Sequence, residues 1–319
     1  MNTLTMVLGS YPHAQGVQVE GYQVEPVKVE PVIGAYRRMI RDLEFDVCEL
    51  APVSYLMARE AGVPLTAIPV FLNRRFHHGD VACGAGSGIR EPRDLEGCRV
   101  GVRAYTVTTA VWVRGILAEE YGVDLTRIKW VTDDEDHVEG RNPANVERVA
   151  DGRPLSELLR AGELDAAFSG NAGTGRSGTP REGWTAPAPA AAGETYPLFR
   201  DAETLAVDWY RHTGIYPLHS VIALRTELVE RDPGLPTRLY AAFAESKQRQ
   251  TSADPGWSSL ARFAKQEREI GGDPVPYGIT PNASSLRALV RHCHDQGLLD
   301  ADPATDLKTL FAAGDYPEA

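Results

Sequence analysis

The sequence predicts an α/β protein of two lobes, because strand-like and helix-like segments alternate along the chain. Residues 44–50, EFDVCEL, have the composition of a strand, and SYLMAREAG at 54–62 has that of a helix ending in glycine. LTAIPVFL at 65–72 is a compact apolar run of the length of a buried strand. LSELLRAGELDAAFSG at 155–170 repeats the pattern as a helix, a glycine turn and a strand. Such alternation indicates mixed, mostly parallel sheets flanked by helices.

The other elements are predicted in chain order from the same signals. LTMVLG at 4–9 indicates a first strand, and 31–43 place apolar residues at helical spacing. VGV at 100–102 indicates a strand that leads into a helix over 107–121, and WVT at 130–132 is a further strand. Three helical segments close the chain: PTRLYAAFAESKQRQT, WSSLARFAKQEREIG and NASSLRALVRHCHDQG.

The order of these elements predicts how the chain divides. Residues 171–195 are rich in Gly, Pro, Ala and Thr and predict a surface loop. GIYPLHSVIAL at 214–224 indicates a strand that returns to the first lobe. We therefore expect one lobe from 1–102 plus 218–319, and an inserted lobe from 103–217. Because ligands of open α/β sheets bind beyond the carboxyl ends of the strands, we expect the ligand cleft between the lobes.

Charge and composition exclude several classes of protein. The chain has 319 residues and a formal net charge of −11, which argues against a nucleic-acid partner and against binding to an anionic membrane. No apolar stretch has the length of a membrane span. The first residues, MNTLTMVLGSYPHAQG, lack the pattern of a secretory signal, so we expect a cytoplasmic protein with a small-molecule partner. Its oligomeric state, a homo-oligomer included, is left open.

The sequence contains no motif for a metal or an organic cofactor. The four cysteines form no CxxC pair. His78 and His137, with the acids of 133–136, could contribute metal ligands, but no H-x-H or H-E-x-x-H spacing is present. GAGSG at 84–88 resembles a phosphate-binding loop only in composition. We therefore expect neither a metal nor a cofactor.

A polar turn after residues 100–102 is a candidate anion site. The first turn of a helix has unpaired N–H groups and a partial positive charge, and threonine hydroxyls can donate to an anion. Thr106, Thr108 and Thr109 thus form a candidate carboxylate cradle, with Tyr105 placed to stack on an aromatic ligand. The alternative is that one threonine caps the helix and the others fill space.

Arg114 lies on the predicted helix that follows this turn, two positions after Trp112. Residues two apart do not share one helical face, so one of the two is expected to point inward. A guanidinium matches a carboxylate in a two-pronged geometry, which makes Arg114 a candidate for gripping an acid group. Pairing with a structural acid is the alternative.

The histidines are candidates for acid/base chemistry, because imidazole titrates near neutral pH. His77 and His78 follow an apolar strand, and adjacent side chains on an extended chain point to opposite sides. His137 has carboxylates on both sides, which would favour its protonated form. His212 and His219 flank GIYPL at the expected second crossing between lobes. A structural role is the alternative for each histidine.

Several patches of the chain match a known pattern: AIPVFLNRRFHHG, DLEGCRVGVRAYTVTTAVWVRGILAEEYGVDL, DEDHVEG and TGIYPLH. Together they resemble the 4,5-dihydroxyphthalate decarboxylase family. The resemblance runs from about residue 31 to about residue 300 and is most specific at 94–125. It implies a type 2 periplasmic-binding-protein-like fold put to catalytic use. It also implies non-oxidative removal of a carboxylate from a hydroxylated aromatic acid, without an organic cofactor.

Loss of CO2 from an aromatic ring needs a proton at the carboxyl-bearing carbon and help in ionising a ring hydroxyl. On this hypothesis the catalytic residues are His78, His137, His219 and Arg114. The residues assigned to substrate binding are Arg38, Tyr105, Thr106, Thr108, Thr109, Arg141, Ser169, Asn171 and Tyr216. Among these, either Arg141 or the turn that contains Ser169 and Asn171 would hold a second carboxylate where the substrate has one. The alternative is a non-catalytic solute-binding protein for an aromatic or other small organic anion.

Overall fold

A computed structural model describes residues 2–175, 194–300, 302 and 304–319. The chain divides into two compact units, each with its own sheet. The first unit consists of Met1–Arg75, Trp209–Val290 and Ala301–Ala319, and the second of Phe76–Asp208 and Arg291–Asp300.

The first unit has five strands in one sheet. They are β1 (Asn2–Val7), β2 (Tyr22–Pro26), β3 (Val47–Leu50), β4 (Leu65–Ile68) and β11 (Val221–Arg225). Their order across the sheet is β2-β1-β3-β11-β4. The helices that belong wholly to this unit are α1 (Gly34–Asp42), α2 (Pro52–Glu60), α6 (Thr226–Arg231), α7 (Leu235–Ala253) and α8 (Ala261–Ile270).

The second unit has six strands in one sheet. They are β5 (Val81–Gly84), β6 (Arg99–Val102), β7 (Lys129–Thr132), β8 (Val146–Arg148), β9 (Ala166–Phe168) and β10 (Thr195–Pro197), in the order β10-β5-β9-β6-β7-β8. Its own helices are α3 (Thr108–Tyr121) and α4 (Leu155–Arg160). Two more helices, α5 (Ala202–Thr213) and α9 (Ala283–Asp295), include residues of both units.

In each described sheet a single strand runs against the others. β11 pairs antiparallel with β3 and β4, and β5 pairs antiparallel with β9 and β10. The first residue of β11, Val221, lies opposite Leu50 at the end of β3, and Val81 of β5 lies opposite Phe168 at the end of β9. Each antiparallel strand therefore brings the residues just before it to the edge where the parallel strands end. This carboxyl edge is where open α/β sheets bind ligands.

Apolar residues of the strands pack against helices in both units. In the first unit Met6, Ile222 and Leu224 of the sheet belong to one core cluster with Leu239 and Phe243 of α7. In the second unit the core cluster joins strand residues to α4 and comprises Val131, Leu155, Leu158, Leu159, Leu164 and Ala167. α3 is buried on all sides from Thr108 to Leu117, a stretch that is mostly apolar but includes Arg114.

The sequence placed the boundaries between lobes too late in the chain. Residues 76–102 were expected in the first lobe, but β5 hydrogen-bonds to β9, and β6 to β7 and β9, so they belong to the second sheet. The return to the first unit comes after Asp208 rather than after residue 217, and 291–300 belongs to the second unit. The pattern of a strand does not reveal which sheet it joins, and this explains the error.

Most of the surface loop expected at 171–195 lies outside the described residues. Only its ends, 171–175 and 194–195, are described. The strand expected at 214–224 is shorter, because β11 begins only at Val221. Within the part of the chain that the structure describes, none of the helices is both long enough and apolar enough to span a membrane.

Candidate functional site

The carboxyl edge of the first sheet gathers polar groups around one buried acid, Glu49. Glu49 lies near the end of β3, and 1 % of it is exposed. Its carboxyl accepts hydrogen bonds from the Gly9 N–H (2.7 Å) and the Tyr11 hydroxyl (2.8 Å), both just beyond β1. Ser220, directly before β11, and Tyr36 of α1 also hydrogen-bond to it. Three other segments of the first unit thus converge on this carboxyl.

A glycine is required where β1 ends. A Cβ atom at residue 9 would come within 2.7 Å of the Tyr11 ring and 3.0 Å of Glu49 Oε2. Real side chains essentially never approach so closely. Gly9 therefore lets its own N–H reach the carboxyl of Glu49.

Hydrogen bonds, rather than ion pairs, surround Glu49 within the described residues. Among the residues that the structure describes, no Arg, Lys or His side chain lies within ion-pair distance of it. Burial therefore raises the pKa of Glu49, although the hydrogen bonds from Gly9 and Tyr11 act in the opposite direction. Burial and the neighbouring Glu49 also raise the pKa of the Tyr11 phenol. Burial thus favours the protonated, neutral form of the Glu49 carboxyl beside the Tyr11 hydroxyl.

An open cavity adjoins this pair. Its volume is about 1460 Å³, and its lining includes Gly9, Tyr11, Asn73 and Arg262. The Arg262 guanidinium donates to the Asn73 side-chain carbonyl and to the Arg74 carbonyl (3.1 Å). The cavity thus places a cation and an amide on the same wall as the Tyr11 hydroxyl, which suits an acidic ligand.

The carboxyl edge of the second sheet carries a network of paired charges. Arg103, directly after β6, contacts Asp134 (Nη1 to Oδ2, 3.3 Å), and its Nε donates to the Asn171 carbonyl (3.1 Å). Asp136 accepts from both the N–H (2.9 Å) and the hydroxyl (2.6 Å) of Thr106. The other oxygen of Asp136 accepts from the Asn142 amide (2.9 Å). The network ties together the loops that follow β6, β7 and β9.

The predicted carboxylate cradle therefore holds a carboxylate that belongs to the protein. Thr106 donates to Asp136 in the way that we expected it to donate to a ligand. Thr108 and Thr109 begin α3 and are both buried. The turn has the chemistry that its sequence indicated, but its first hydroxyl is already engaged.

Two histidines precede β5 at the same edge. His77 is fully buried, and its Nδ1 lies 2.7 Å from Oδ2 of Asp80. His78 is also buried, with its ring 5.7 Å from that of Phe199. Burial first, and the adjacent His77 second, lower the pKa of His78 to about 4. His78 is consequently neutral near pH 7 and suited to accept a proton, whereas His77 has a carboxylate partner.

Arg114 and Tyr105 lie inside the second unit. The Arg114 guanidinium is completely buried and lies 3.8 Å from the centre of the Tyr105 ring. It donates to the Gln296 side-chain carbonyl (2.7 Å) and to the Tyr105 carbonyl (2.6 Å). The same guanidinium lies 5.2 Å from the centre of the Trp130 ring. These contacts differ from the ligand-gripping role that the sequence suggested, and they give Arg114 structural partners, although not the structural acid of the alternative.

Three other predicted binding residues are also engaged within the protein. Arg38 pairs with Glu44 on the surface of the first unit. Arg141 Nη1 lies 2.8 Å from Asp300 Oδ2 in the second unit. Tyr216 is buried in the first unit, where its ring lies 4.5 Å from the Arg74 guanidinium.

The remaining predicted residues divide between the units. His137 is buried in the loop after β7, and Ser169 and Asn171 follow β9, so these three belong to the second unit. His219 belongs to the first unit, where its backbone N–H donates to the Asn73 backbone carbonyl (3.0 Å). The expectation of a ligand cleft between the lobes stays a prediction.

Sequence reasoning missed Glu49, Tyr11 and Ser220. Glu49 stands in EFDVCEL, which we interpreted only as a strand. The one available signal was a carboxyl in an otherwise apolar strand of a type that is buried on both faces. Within the described residues, no group of three or more His, Cys, Asp or Glu side chains is arranged to hold a metal ion.

Comparisons with solved structures establish the fold. A periplasmic sulfonate-binding protein, SsuA from Methylobacillus flagellatus KT, aligns with a TM-score of 0.53 at 12% identity, covering 98% of this chain and 91% of that one. The desulfurization enzyme DSZB aligns with a TM-score of 0.52 at 14% identity, covering 98% and 96%. The predicted α/β fold of the periplasmic-binding-protein type is confirmed. Because a binding protein and an enzyme share it, the fold alone does not assign a function.

Comparison with known sequences identifies the family. No protein-family model matches the chain. A protein from Comamonas testosteroni named 4,5-dihydroxyphthalate decarboxylase is 33% identical over 289 residues, which cover 82% of this chain and 81% of that protein. This likeness confirms the resemblance seen in the sequence. The chain belongs to the 4,5-dihydroxyphthalate decarboxylase family.

Proposed function

We propose that this protein is a decarboxylase, a carboxy-lyase that removes CO2 from a hydroxylated aromatic carboxylic acid without a cofactor. The observation that carries the proposal is the 33% identity, over 82% of the chain, to a protein named 4,5-dihydroxyphthalate decarboxylase. The substrate is then a dihydroxyphthalate-like compound, with ring hydroxyls and at least one carboxylate.

The chemistry proceeds through protonation of the ring. A ring hydroxyl ionises, and its electron pair moves into the ring. The carbon that bears the carboxylate takes up a proton, which gives a dearomatised intermediate. The bond to the carboxylate then breaks, its electron pair restores the aromatic ring, and CO2 leaves. One proton is consumed for each CO2 released, so the protein needs a proton donor at the ring carbon.

We assign that donor to the Tyr11–Glu49 pair of the first unit. Tyr11 lines the open cavity, and its hydroxyl lies 2.8 Å from the Glu49 carboxyl. When Glu49 is protonated it can pass its proton to the Tyr11 oxygen while Tyr11 gives its own proton to the substrate. Solvent then returns a proton to Glu49. A positioned acid of this kind contributes roughly 10²–10⁴-fold to the rate.

Other groups hold the substrate or take up its hydroxyl proton. Arg262 and Asn73 line the same cavity and suit a carboxylate. Of the three histidines predicted for acid/base work, His78 has a low pKa, which keeps its imidazole in the neutral, proton-accepting form near pH 7. His137 and His219 stay candidates for that role, and Thr108 and Thr109 stay candidates for carboxylate binding.

The experiment that tests the function is a turnover assay. The purified protein is incubated with hydroxylated benzoates and phthalates, and CO2 and the ultraviolet spectrum are followed. We expect CO2 and a stoichiometric amount of the acid lacking one carboxylate from at least one dihydroxyphthalate-like compound. Phthalate without hydroxyls is the matched control, because it lacks the electron sink and should release none.

The alternative is a non-catalytic solute-binding protein for a small organic anion. It stays open because the fold is shared with a sulfonate-binding protein. Tight binding of every compound tested, with no CO2 released over hours, would contradict the decarboxylase proposal and favour this alternative. A cytoplasmic location stays part of the proposal and is tested by cell fractionation.

A further inference from the structure

Arg74 is a buried cation in the first unit. Only 3 % of the residue is exposed. One guanidinium nitrogen, Nη2, donates to the Tyr216 carbonyl (2.5 Å) and to the Ser285 hydroxyl (3.2 Å). The guanidinium lies 4.5 Å from the centre of the Tyr216 ring. Its Nε has no hydrogen-bond partner among the described residues.

Within the part of the chain that the structure describes, no carboxylate lies within ion-pair distance of the Arg74 guanidinium. Asp273 acts on the charge of Arg74 from farther away, and that carboxylate is bound by the Lys247 ammonium. Burial lowers the pKa of Arg74 to about 10, which still leaves it charged near neutral pH. An unpaired buried charge is costly, so such a cation is poised to accept an anion.

A small cavity adjoins this cation. Its volume is about 230 Å³, below the range of about 300–1,000 Å³ that is typical for drug-sized ligands. Its walls combine Arg74 and one acid, Asp273, with two tyrosines and several apolar groups, of which the relevant ones are Tyr210, Tyr216, Ile270, Pro276 and Pro281. The two tyrosine rings lie 6.3 Å apart and nearly perpendicular to each other. Aromatic and proline faces suit a single flat ring.

We propose that this cavity is a second ligand site, separate from the Tyr11–Glu49 cavity, that binds a small aromatic monocarboxylate. The carboxylate binds the Arg74 guanidinium, and the ring packs against Tyr210, Tyr216 and the prolines. Asp273 and Lys247 form a neutral pair beside it, so Arg74 supplies the net positive charge. This site involves no bond making, and it does not depend on whether the protein is a decarboxylase.

The test measures thermal unfolding in the presence of benzoate, which has one ring and one carboxylate and no hydroxyl. Binding to the folded state alone raises the Tm, and we expect a rise of roughly 2–4 °C or more at saturating benzoate. Arg74→Met keeps the length of the side chain and removes the charge. We expect the rise in Tm with benzoate to be at most half as large in this variant. Any rise that is left measures benzoate bound elsewhere on the protein.

Matched controls separate the charge from general effects. Arg225→Met also removes an arginine of the first unit, but one that pairs with Asp46 at 2.7 Å, and it should keep the full rise. Acetate lacks the ring and should raise the Tm less than benzoate. If Arg74→Met does not fold, Ile270→Trp fills the cavity while Arg74 stays in place, and the rise should again be lost.

Three outcomes would overturn the proposal: no rise in the wild type, an equal rise in Arg74→Met and wild type, or an equal effect of acetate and benzoate. Because benzoate is not a decarboxylation substrate, none of these outcomes depends on the turnover assay. A failed turnover assay likewise leaves this proposal intact.

Discussion

The two sheets place polar groups at their carboxyl edges in opposite ways. In the second unit Arg103 forms an ion pair with Asp134, and the His77 ring nitrogen lies 2.7 Å from the Asp80 carboxylate. In the first unit the buried acid, Glu49, has hydrogen bonds but no cation within ion-pair distance among the described residues. Both edges arise from the same topology, with one antiparallel strand among parallel ones.

The difference indicates that the network at the second sheet positions loops, whereas Glu49 at the first sheet can exchange a proton. Paired charges in a buried network fix the geometry of loops, and removing one partner leaves the other unsatisfied. An unpaired buried carboxyl instead takes up a proton, because its charged form is poorly solvated. We therefore expect substitutions in the second edge to change stability, and substitutions at Glu49 to change the rate.

The largest effect is expected for Glu49→Gln, which keeps the shape of the side chain and removes its exchangeable acid proton. We expect kcat for decarboxylation to fall by roughly a hundredfold or more, with the fold retained. Steady-state kinetics and circular dichroism measure the two quantities. Glu230→Gln, at an exposed glutamate of α6, is the control and should keep the wild-type rate. A rate within twofold of wild type for Glu49→Gln would remove Glu49 from the mechanism.

Tyr11→Phe tests whether Tyr11 acts together with Glu49 as the proton donor. The variant loses the proton relay and one hydrogen bond to Glu49, so we expect kcat to fall roughly tenfold or more. The lost hydrogen bond stabilised the charged carboxyl, and the pKa of Glu49 should therefore rise further. In the pH–rate profile the alkaline limb should move to higher pH. A profile unchanged in both height and position would show that Tyr11 does not act on Glu49.

Thr106→Val tests the positioning role of the second edge. The variant removes the hydroxyl that donates to the buried Asp136 at 2.6 Å, and we expect the free energy of unfolding to fall by about 1–3 kcal/mol. Urea denaturation measures the change. Thr126→Val removes a hydroxyl that donates to Asp124 at the same distance but on the exposed surface, and it should stay within about 0.5 kcal/mol of wild type. Equal effects at the two sites would contradict the role of burial.

Buried histidines should make both units less stable in acid. Burial lowers the pKa of His13, in the first unit, and of His78, in the second, to about 4, from a usual value of 6.5. The unfolded chain therefore binds protons at a higher pH than the folded protein does. The free energy of unfolding should fall as the pH is lowered from 6.5 to about 4, by at most on the order of 2–3 kcal/mol for each histidine.

Unfolding in urea at several pH values measures this slope. His78→Gln and His13→Gln should each reduce it, while His294→Gln, on the exposed surface of α9, should not. A slope that is unchanged in both buried variants would show that these histidines are not neutral in the folded protein.

The smallest effect is expected for Arg38→Ala. The sequence suggested Arg38 as a weaker substrate contact, but its guanidinium is bound by Glu44. Exposed ion pairs of this kind contribute about 0.2–1 kcal/mol, so stability should change little and KM by less than twofold. A tenfold rise in KM would contradict this prediction and indicate that Arg38 contacts the substrate.

The sequence predicted the central elements of the fold better than the peripheral ones. The apolar runs that became β3 and β4 were recognisable, because central strands of such sheets are buried on both faces. Strands β2, β5, β8 and β10 were missed. β2, β8 and β10 carry exposed residues and lie at the sheet edges, and β5 has only four residues and ends in the glycine-rich GAGSG segment. The boundaries between units depend on long-range pairing, which local patterns do not reveal.

The site was predicted by residue type but not by partner. The turn at Thr106 was expected to bind the carboxylate of a ligand, whereas in the structure its hydroxyl donates to Asp136, thirty residues later in the chain. Arg114 was expected to face a ligand, whereas the packing of Tyr105 and Trp130 around it is a tertiary property. Glu49 became visible as a candidate only when Gly9, Tyr11 and Ser220 were brought to the same edge.

The most direct test of the central claim measures CO2 release by wild type and Glu49→Gln with the same hydroxylated aromatic acid, across the pH range in which both stay folded. The account predicts that the wild type turns over and loses activity as the pH rises through the raised pKa of Glu49. It predicts that the variant is at least a hundredfold slower below that pKa and does not show this decline. Wild-type turnover that Glu49→Gln matches, with the same pH profile, would contradict it.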